Sequence, residues 1–558
     1  MKIIKGLPPQ QEPNTWVGLD VEIFQLNTFQ MHRPTSGVFG CLSMAIDPET
    51  VYVIENQLEI PIALNRLHNA VSVYQNAPFD IIHLRRWADI PPTKKLWDTM
   101  YIERILYGGY YDLVGLEHLA RRHLDIKMDK SLQKSFEKGK PPMTDEQIYY
   151  AALDASITLQ VCMAQRKVMR KNDFNIWAKV DRPALWAYLD FMGFAINVAG
   201  WKELAEKNKE RADKIEEEFD FNPRSPAQVK KKLISTGFRG LPNTEAKTLK
   251  KYIDKYPDTK AAQIAERKIE YAKFQKRHST YGIDFIENHL ERDIQFQCDM
   301  VKCNYWITGA ETGRTSSDKP NMQNIPKRDT AEYRACFIAR PNNYLITADY
   351  SAQEPSILAY VSQDKMLIKI INSGKDIYLE TQKLSSLFQE LSRDKMKSIV
   401  LGTNYGMTEY GLVREIGCSL PEAKRLLNEY FHIFSGVASW VIKQQKRKDY
   451  VETVLGRRIW LNRYSGQCEN NSVNAPIQGT AGDINKIATA RLHQNWNYPY
   501  PFACVQTTHD EIGLDVPKQH AKEVGKFVKY HMVSVAEEVC PGIKARVDVK
   551  ISSNWSGT

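Results

Sequence analysis

The sequence predicts a multidomain α/β protein, and three observations support this prediction. The chain has 558 residues, too many for one simple core and enough for roughly three to five domains of ordinary size. Up to about Leu116, short apolar runs such as Trp16–Leu19 and Val51–Ile54 alternate with helical stretches, as in an α/β domain. After a helical, Lys/Glu-rich region that begins near Arg182, the order becomes sheet, helices, sheet, which predicts helices inserted into a sheet domain.

Composition narrows the class of protein. Hydrophobic residues make up 43% and charged residues 25%, which is ordinary for globular proteins and excludes fibrous and disordered chains. The net charge of +10 permits an anionic partner such as nucleic acid without requiring one. The nine cysteines are scattered, which indicates reduced thiols, and no run approaches the roughly 20 apolar residues that a membrane span needs. We therefore expect a soluble, cytoplasmic protein that does not contact membranes.

Carboxylates recur at regular spacings in the front third. "WVGLDVEIFQL" places Asp20 and Glu22 two residues apart on a predicted strand, so both side chains point to one face. "NAPFDIIHL" adds Asp80, and "YYAALDASITL" adds Tyr150 and Asp154 four residues apart, on one face of a predicted helix. Each piece alone is equally compatible with a surface strand or an exposed helix.

Three further carboxylates, Asp349, Asp510 and Glu511, lie near the ends of predicted strands after the helical middle region. Asp349 ends the apolar strand of "TADYSAQEPSILAY", where the simpler alternative is a helix N-cap. Asp510 and Glu511 interrupt "TTHDEIGL", where the simpler alternative is a polar turn. Held together on one sheet, such carboxylates repel one another, and a metal ion would relieve that repulsion.

Between these strands, a predicted helix presents two cations in a row. In "RDKMKSIVLGTNYGM", the residues Arg393, Lys397, Leu401 and Tyr405 recur every four positions and therefore share one stripe. Two cations followed by an apolar and an aromatic side chain suit a triphosphate followed by a base. Taken alone, an ordinary surface helix with a core tyrosine explains the pattern as well.

Together, in this order and spacing, the three stretches resemble motifs A, B and C of family A DNA polymerases. The flanking segments are similar to the family's as well: "TGAETGRTSSDKPNMQNIPKR" resembles TGRLSS…PNLQNIP, "YVETVLGRRIWL" resembles GYVxTxxGRRR, and "NAPIQGTAGDINKIA" resembles NAPxQGTAADIxKxA. The resemblance spans about Asp181 to "NWSG" near the C-terminus. It implies a DNA-directed DNA polymerase, a nucleotidyltransferase, with a right-hand domain of palm, fingers and thumb.

The resemblance also implies roles for individual residues. Asp349 and Asp510 would hold two Mg²⁺ ions, or Mn²⁺ in their place, with Glu511 as an accessory acid. Arg393 and Lys397 would bind the incoming triphosphate, and Lys397 would also protonate the pyrophosphate leaving group. The remaining nucleotide-binding positions would be Glu354 as the gate against a 2′-hydroxyl, Tyr405 beside it, Leu401 and Tyr378; the DNA-binding positions would be Arg314, Gln323, Asn324, Arg328, Asn474, Gln478 and His509.

Some positions depart from the family pattern. Motif A reads Ala352-Gln353-Glu354-Pro355-Ser356 instead of Gln-Ile-Glu-Leu-Arg, a QEP form similar to that of phage members. Tyr378 replaces a phosphate-binding histidine, Leu401 an aromatic residue, and Asn470 an arginine. None of these departures removes a predicted metal ligand, so they bear on nucleotide affinity and fidelity.

The front third resembles DEDD-type 3′–5′ exonucleases of the Y subclass, which have an RNase H-like fold. The resemblance implies that Asp20, Glu22, Asp80 and Asp154 surround two metal ions and that Tyr150 orients the attacking water. "DKSLQKSF" is similar to the segment that precedes the third exonuclease motif in polymerase-linked examples. The predicted domains are an exonuclease at 1–175 and a polymerase at 176–558, with a thumb at about 200–300, a palm at about 301–365 and 467–558, and fingers at about 366–466.

The expected partners are primer-template DNA and dNTPs, for an enzyme that acts as a monomer in phage genome replication. We expect neither a 5′-nuclease domain nor the long thumb insertion that captures a thioredoxin-type processivity factor, and the replisome partners stay open. A single-subunit RNA polymerase is one alternative, which Glu354 and the exonuclease motifs disfavour. A catalytically inert primer-template binding protein is the other, which Asp349, Asp510 and Lys397 disfavour.

Overall fold

The structure is a computed structural model that describes residues 1–25, 37–293, 296–325, 331–404 and 406–557. Arg328 and Tyr405, two of the predicted site residues, lie outside the described residues. All nine cysteines are free thiols. Within the described part of the chain, no helix is long and apolar enough to cross a membrane.

Strands occur in both halves of the chain, as the alternating and apolar runs predict. The N-terminal strands form one largely buried six-stranded sheet, whereas the middle of the chain contributes shorter strands. The strands are β1 (Lys2–Lys5), β2 (Trp16–Phe24), β3 (Val38–Asp47), β4 (Thr50–Ile54), β5 (Val71–Tyr74), β6 (Leu96–Asp98), β7 (Phe194–Ile196), β8 (Leu290–Asp293), β9 (Cys298–Val301), β10 (Asn304–Trp306), β11 (Ser316–Asp318), β12 (Phe337–Ile338), β13 (Asn343–Tyr350), β14 (Tyr450–Glu452), β15 (Arg458–Trp460), β16 (Cys504–Thr508), β17 (Glu511–Pro517) and β18 (Val547–Ser552).

Helices fill the intervals between the strands and dominate two regions, as predicted. Their starts follow local capping rules: Ser225 accepts a hydrogen bond from the Gln228 amide at the start of one helix, with Pro226 in its first turn. The helices are α1 (Ile60–Leu67), α2 (Ala77–Leu84), α3 (Thr99–Tyr107), α4 (Leu116–Leu124), α5 (Ser135–Lys138), α6 (Asp145–Val168), α7 (Lys171–Ile176), α8 (Arg182–Leu189), α9 (Val198–Glu216), α10 (Pro226–Ser235), α11 (Ala246–Lys255), α12 (Lys260–Tyr281), α13 (Ile283–His289), α14 (Ala331–Ala335), α15 (Gln353–Ser362), α16 (Lys365–Asn372), α17 (Ile377–Gln382), α18 (Ser386–Gln389), α19 (Arg393–Asn404), α20 (Glu409–Ile416), α21 (Leu420–Ile433), α22 (Ser435–Gln445), α23 (Cys468–Gln494) and α24 (Ala521–Val539).

The N-terminal sheet has six strands in the order β1-β4-β3-β2-β5-β6. Strand β2 is central, antiparallel to β3 and parallel to β5. Helix α6 crosses β2 at Gly18, where an added Cβ would lie 2.3 Å from the carbonyl oxygen of Ala155. Only glycine permits this approach, and it brings the middle of α6 close to the carboxylate-bearing part of β2.

A second sheet, in the order β16-β17-β13-β18, belongs to the last third of the chain. Strands β16 and β17 form a tight antiparallel hairpin in which Thr508 pairs with Glu511. The two-residue connection is His509-Asp510, and His509 adopts a positive φ of 55°. Because β17 lies next to β13, the hairpin turn faces the end of the strand that carries Asp349.

The chain divides into two compact units. The first comprises Met1–Met192, Cys303–Gln323 and Ile346–Ile551 and contains the N-terminal sheet and most of the C-terminal sheet. The other unit comprises Gly193–Lys302, Asn324–Leu345 and Ser552–Thr558. Within this second unit, the sheet β12-β7-β9-β8 packs with an aromatic core in which Trp201 stacks on Phe285 at 4.3 Å.

Four charged side chains form a buried network in the first unit. The Arg457 guanidinium donates to both carboxylate oxygens of Asp181, at 2.6 and 2.9 Å, and to Asp483 at 2.8 Å. Lys486 Nζ lies 2.7 Å from Asp181 Oδ1 and 3.4 Å from Asp483 Oδ1. Burial alone would raise the pKa of Asp181, but Arg457 and Lys486 together hold it below its usual value. The network joins the residue before α8, the residue before β15 and helix α23.

We predict that Asp181→Asn strongly destabilises the protein, because two buried cations would then share one carboxylate. Breaking such a buried pair costs about 3–5 kcal/mol, which should lower the melting temperature by several degrees in calorimetry. The matched control is Asp449→Asn, which removes an exposed ion pair with Arg463 and should cost at most about 1 kcal/mol. Equal, small effects of both substitutions would contradict a structural role for the network.

Candidate functional site

The first candidate site lies where α6 crosses β2. One carboxylate oxygen each of Asp20, Glu22 and Asp154 lies within 4.8 Å of the others. The two-residue spacing on β2 aligns Asp20 with Glu22, and the close approach at Gly18 brings α6 over them. The structure therefore brings together three of the four predicted exonuclease carboxylates.

Burial and mutual repulsion make these carboxylates reluctant to ionise. Burial, followed by the charge of Asp154, raises the pKa of Asp20 to about 8. Burial and the neighbouring acids also raise the pKa of Glu22 well above its usual value. Asp20 Oδ2 and Asp154 Oδ1 are buried and accept no hydrogen bond within the described residues. Several crowded carboxylate oxygens with open acceptor positions fit a hard divalent cation such as Mg²⁺ or Mn²⁺.

Asp80 supports β2 next to this cluster. Its Oδ1 accepts a hydrogen bond from the Val21 amide at 3.0 Å, between Asp20 and Glu22. Burial, followed by the charge of Asp20, raises the pKa of Asp80 well above its usual value. Asp80 is not part of the group whose oxygens lie within 4.8 Å of one another, so its role as a metal ligand stays a prediction.

A cation that the sequence analysis did not identify, Lys130, also belongs to this cluster. Its Nζ donates to Asp154 Oδ2 at 2.6 Å and to the Tyr150 hydroxyl at 3.0 Å. Burial, followed by the charges of the neighbouring carboxylates, raises the pKa of Tyr150, so its hydroxyl stays protonated. Lys130 lies in "DKSLQKSF". The similarity of that segment to exonucleases is the sequence signal that could have identified Lys130 as part of the site.

The second candidate site lies where the two central strands of the C-terminal sheet meet, at the end of β13 and the start of β17. We call this place the sheet edge. The Tyr350 amide donates to the Asp510 carbonyl at 3.2 Å, which places the turn carrying Asp510 beside the strand end carrying Asp349. Helix α15 begins after Ala352, which has a left-handed conformation, so Asp349 is not its N-cap. The two aspartates therefore meet at one sheet edge, as predicted, with Asp510 in the turn rather than on a strand.

Hydrogen bonds from three directions fix the turn. Asn485 Nδ2 on α23 donates to Thr507 Oγ1 and to the His509 carbonyl, both at 2.8 Å. Gln323 Nε2, a predicted DNA contact, donates to the Thr507 carbonyl at 3.1 Å. Glu511 is buried and accepts from Gln506 Nε2 at 2.8 Å, whereas His509 is exposed. The side chains of Gln323 and Glu511 thus support the hairpin that holds Asp510.

Helix α19 presents the predicted nucleotide-binding stripe. Arg393 is exposed and Lys397 and Leu401 are half-buried, while Met396 and Val400 are buried in the core. This division of α19 confirms that the stripe faces away from the core.

The N-terminal cation of α19 contacts the neighbouring helix α17. Arg393 donates to Asp376 Oδ2 through Nε at 3.0 Å and Nη2 at 2.6 Å. Its guanidinium also lies 5.1 Å from the centre of the Tyr378 ring. The structure therefore brings together two predicted nucleotide-binding residues, Arg393 and Tyr378, and adds Asp376 as a resident anionic partner.

Glu354 is held by a neighbouring cation. Arg314 Nη2 lies 2.6 Å from Glu354 Oε1, and Arg314 Nε donates to the Gln478 carbonyl at 3.2 Å. Gly482 allows this arrangement, because an added Cβ would lie 3.0 Å from Arg314 Cγ. Arg314, predicted to contact DNA, thus orients Glu354 in this structure. Sequence reasoning missed this pair because nothing local links positions 40 apart.

The remaining predicted DNA contacts occupy two places. Asn474 and Gln478 are half-buried, one turn apart on the otherwise mainly buried helix α23. In the second compact unit, the Asn324 carbonyl accepts a hydrogen bond from the Tyr281 hydroxyl at 2.9 Å. Their contacts with DNA stay predictions.

Two family models match the chain. The model for DNA polymerase family A matches residues 198–557, more than half of the chain. The model for a 3′–5′ exonuclease matches residues 11–170. The first range contains the second candidate site, with Asp349 and Asp510. The second range contains the Asp20–Glu22–Asp154 cluster together with Lys130.

Individual relatives agree with these matches. The thermostable DNA polymerase I of Thermus aquaticus is 29% identical over 68% of this chain and 48% of its own length. DNA polymerase I of Borreliella burgdorferi is 26% identical over 97% of this chain and 62% of its own length. The chain thus spans about half to three-fifths of these two relatives. Against DNA polymerase I of Aquifex aeolicus, it is 27% identical over 91% of this chain and 92% of the relative.

One solved structure has a similar fold over its full length. It is described as the POL domain of Pol1 from M. smegmatis in complex with DNA primer-template and dNTP. The two structures superpose with a TM-score of 0.83 at 21% identity, and the match covers 100% of each chain. At this identity, the likeness confirms the α/β fold alone, whereas the two family models show an exonuclease domain followed by a polymerase domain.

Proposed function

This chain belongs to DNA polymerase family A, and we propose that it extends a DNA primer along a DNA template and excises mispaired nucleotides from the primer's 3′ end. One observation carries the proposal most directly. The hydrogen bond from the Tyr350 amide to the Asp510 carbonyl brings the two motif aspartates to one sheet edge. The proposed domains are the exonuclease at 1–175 and the polymerase at 176–558.

For polymerisation, we propose that Asp349 and Asp510 hold divalent cations, Mg²⁺ or Mn²⁺. Bound there, such ions neutralise charge on the attacking and leaving oxygens of phosphoryl transfer. The protein supplies the rest: Lys397 binds the triphosphate and donates a proton to the departing pyrophosphate, and Leu401 and Tyr405 line the position of the incoming nucleoside. The half-buried Lys397 on the outward stripe of α19 supports this role.

Triphosphate binding also changes the partner of Arg393. In this structure, the Arg393 guanidinium is bound by Asp376 and lies 5.1 Å from the centre of the Tyr378 ring. Both side chains are substantially exposed, and exposed pairs are weak, typically 0–1 kcal/mol. A triphosphate carries more charge than one carboxylate, so we propose that Arg393 exchanges Asp376 for phosphate oxygens when dNTP binds.

For excision, we propose that Asp20, Glu22 and Asp154 hold divalent cations, with Asp80 as a further ligand or support. Bound there, the ions supply charge neutralisation at the phosphodiester bond being hydrolysed. The Tyr150 hydroxyl, which stays protonated and accepts a hydrogen bond from Lys130, orients the attacking water. The crowded carboxylates with raised pKa values support this proposal, because a cation would stabilise their ionised forms.

The process we propose is DNA replication, and the QEP form of motif A favours a phage genome. On that proposal, the enzyme acts as a monomer in the cytoplasm of the bacterial host. A single-subunit RNA polymerase and an inert primer-template binding protein remain the alternatives. Primer extension on a primer-template with Mg²⁺ and either dNTPs or rNTPs distinguishes all three: extension with dNTPs alone supports the proposal, extension with rNTPs indicates an RNA polymerase, and no extension indicates the binding protein.

We predict that Glu354→Ala relaxes discrimination against ribonucleotides. Arg314 holds the side chain at 2.6 Å; on the proposed role, Glu354 fills the space of a 2′-hydroxyl, so its removal should open that space. The rNTP/dNTP ratio of kcat/KM should rise roughly 10- to 100-fold, the range for small steric differences in a pocket. Glu354→Gln is the matched control, since it keeps the volume and should leave the ratio within a few fold. An unchanged ratio in an active Glu354→Ala protein would show that Glu354 is not the gate.

A further inference from the structure

Lys130 occupies an unusual place among the exonuclease carboxylates. It precedes the short 3₁₀ helix Ser131–Lys134 and reaches the cluster from an irregular segment. Its ammonium lies 2.6 Å from Asp154 Oδ2, 3.0 Å from the Tyr150 hydroxyl and 4.9 Å from the centre of the Tyr150 ring. The lysine side chain is 22% exposed and the aspartate 7%, so the contact is largely shielded from water.

The Lys130 ammonium stabilises the ionised forms of the neighbouring carboxylates. Asp20, Glu22 and Asp154 converge there, and Lys130 acts as a positive charge on all three, lowering pKa values that burial raises. One monovalent cation cannot balance three carboxylates. The ammonium therefore partly replaces the charge that a divalent cation would bring.

The same position makes the ammonium a competitor of a metal ion. Asp154 Oδ2 already contacts Nζ at 2.6 Å, and if Asp154 also bound Mg²⁺ or Mn²⁺, the ion and the ammonium would repel each other. A metal ion bound to Asp154, through Oδ2 or through Oδ1, which accepts no hydrogen bond within the described residues, would be repelled by the ammonium and would favour its displacement. The Tyr150 hydroxyl and ring offer the displaced ammonium a neighbouring position, because cations bind aromatic faces as well as oxygens.

We propose that Lys130 is a positioning residue with two linked roles: it competes with a divalent cation for Asp154, and it holds the Tyr150 hydroxyl in place when the cation is bound. This proposal rests on the proposed exonuclease function. It predicts opposite effects of losing the charge, tighter metal binding together with slower excision, whereas a purely structural ion pair predicts no gain in metal affinity.

The first test measures metal affinity, independently of activity. Mn²⁺ is titrated into the full-length chain by calorimetry and thermal shift, in an Asp349→Asn background that weakens binding at the polymerase site. Lys130→Met should lower the dissociation constant for Mn²⁺ by roughly three- to tenfold, because the ion no longer competes with one partly shielded ion pair. Lys130→Arg keeps the charge and should stay near the parent. Lys134→Met, an exposed neighbour, is the matched control and should change nothing.

The second test measures excision of a mismatched primer end at saturating Mn²⁺. Lys130→Met should slow excision by about 10- to 100-fold, the usual cost of losing a residue that orients a metal-site group, and Lys130→Arg should recover part of the rate. Unchanged or weaker Mn²⁺ binding in Lys130→Met would overturn the competition, and unchanged excision would overturn the positioning of Tyr150. Absence of excision in the unsubstituted protein would instead refute the exonuclease function, while the titration would still decide the competition.

Discussion

Asp510→Asn is expected to abolish primer extension and to leave mismatch excision intact. The substitution keeps the shape of the side chain but removes the charge that would hold a cation beside Asp349. The turn should survive, because its link to the neighbouring strand uses the Asp510 carbonyl rather than the carboxylate. Loss of groups that merely orient metal ligands costs 10- to 100-fold, so loss of a ligand should slow extension by more than about 100-fold.

The measurement is single-turnover extension at saturating dNTP and Mg²⁺. Asp548→Asn is the matched control, because this exposed aspartate lies on β18 of the same sheet and its carboxylate accepts a hydrogen bond from the Ser351 hydroxyl at 2.7 Å. It should extend primers at nearly the parental rate. Extension by Asp510→Asn at that rate would contradict the assignment of the sheet edge as the polymerase site.

The second large effect concerns the exonuclease cluster. Asp20→Asn with Glu22→Gln should reduce mismatch excision by more than about 100-fold, because the cluster loses two of its three converging carboxylates. Extension should continue, since the sheet edge with Asp349 and Asp510 is untouched. The measurement is excision of a mismatched 3′ nucleotide in Mg²⁺ without dNTPs.

The same double variant should not lose stability in the absence of metal. The raised pKa of Asp20, about 8, means that its proton stabilises the folded state at low pH and that this stability disappears as pH rises toward 8. Neutral side chains avoid that loss, so at pH 8 without metal the variant should melt at or above the parental temperature. Added Mn²⁺ should raise the melting temperature of the parent more than that of the variant. A strongly destabilised variant would mean that the carboxylates serve the fold rather than a cation.

The sequence predicts those parts of the site that local periodicity encodes. Asp20 and Glu22 share a face because strands repeat every two residues, and Tyr150 and Asp154 share one because helices repeat nearly every four. The stripe of Arg393, Lys397 and Leu401 follows from the same rule, and the buried Met396 and Val400 confirm it. The family resemblance, which the family model confirms over residues 198–557, then assigns chemistry to these faces.

Contacts that tertiary structure creates between distant or irregular segments were not predictable in this way. Lys130 reaches Asp154 from a segment without periodicity, and Arg314 reaches Glu354 across 40 positions. The buried network is the clearest case, because surface exposure is the default expectation for charged residues, yet Arg457 and Lys486 are almost fully buried between aspartates. Only the fold shows which charges have buried partners.

The central claim is that one chain carries two separate carboxylate sites, one for extension and one for excision. A single gel tests it: a 5′-labelled primer with a mismatched 3′ end is incubated with template, Mg²⁺ and dNTPs. We predict that the parent first shortens and then extends the primer, that Asp510→Asn only shortens it, and that Asp20→Asn with Glu22→Gln never shortens it but still extends a matched primer. Loss of both activities in either variant, with an unchanged melting temperature, would contradict the claim.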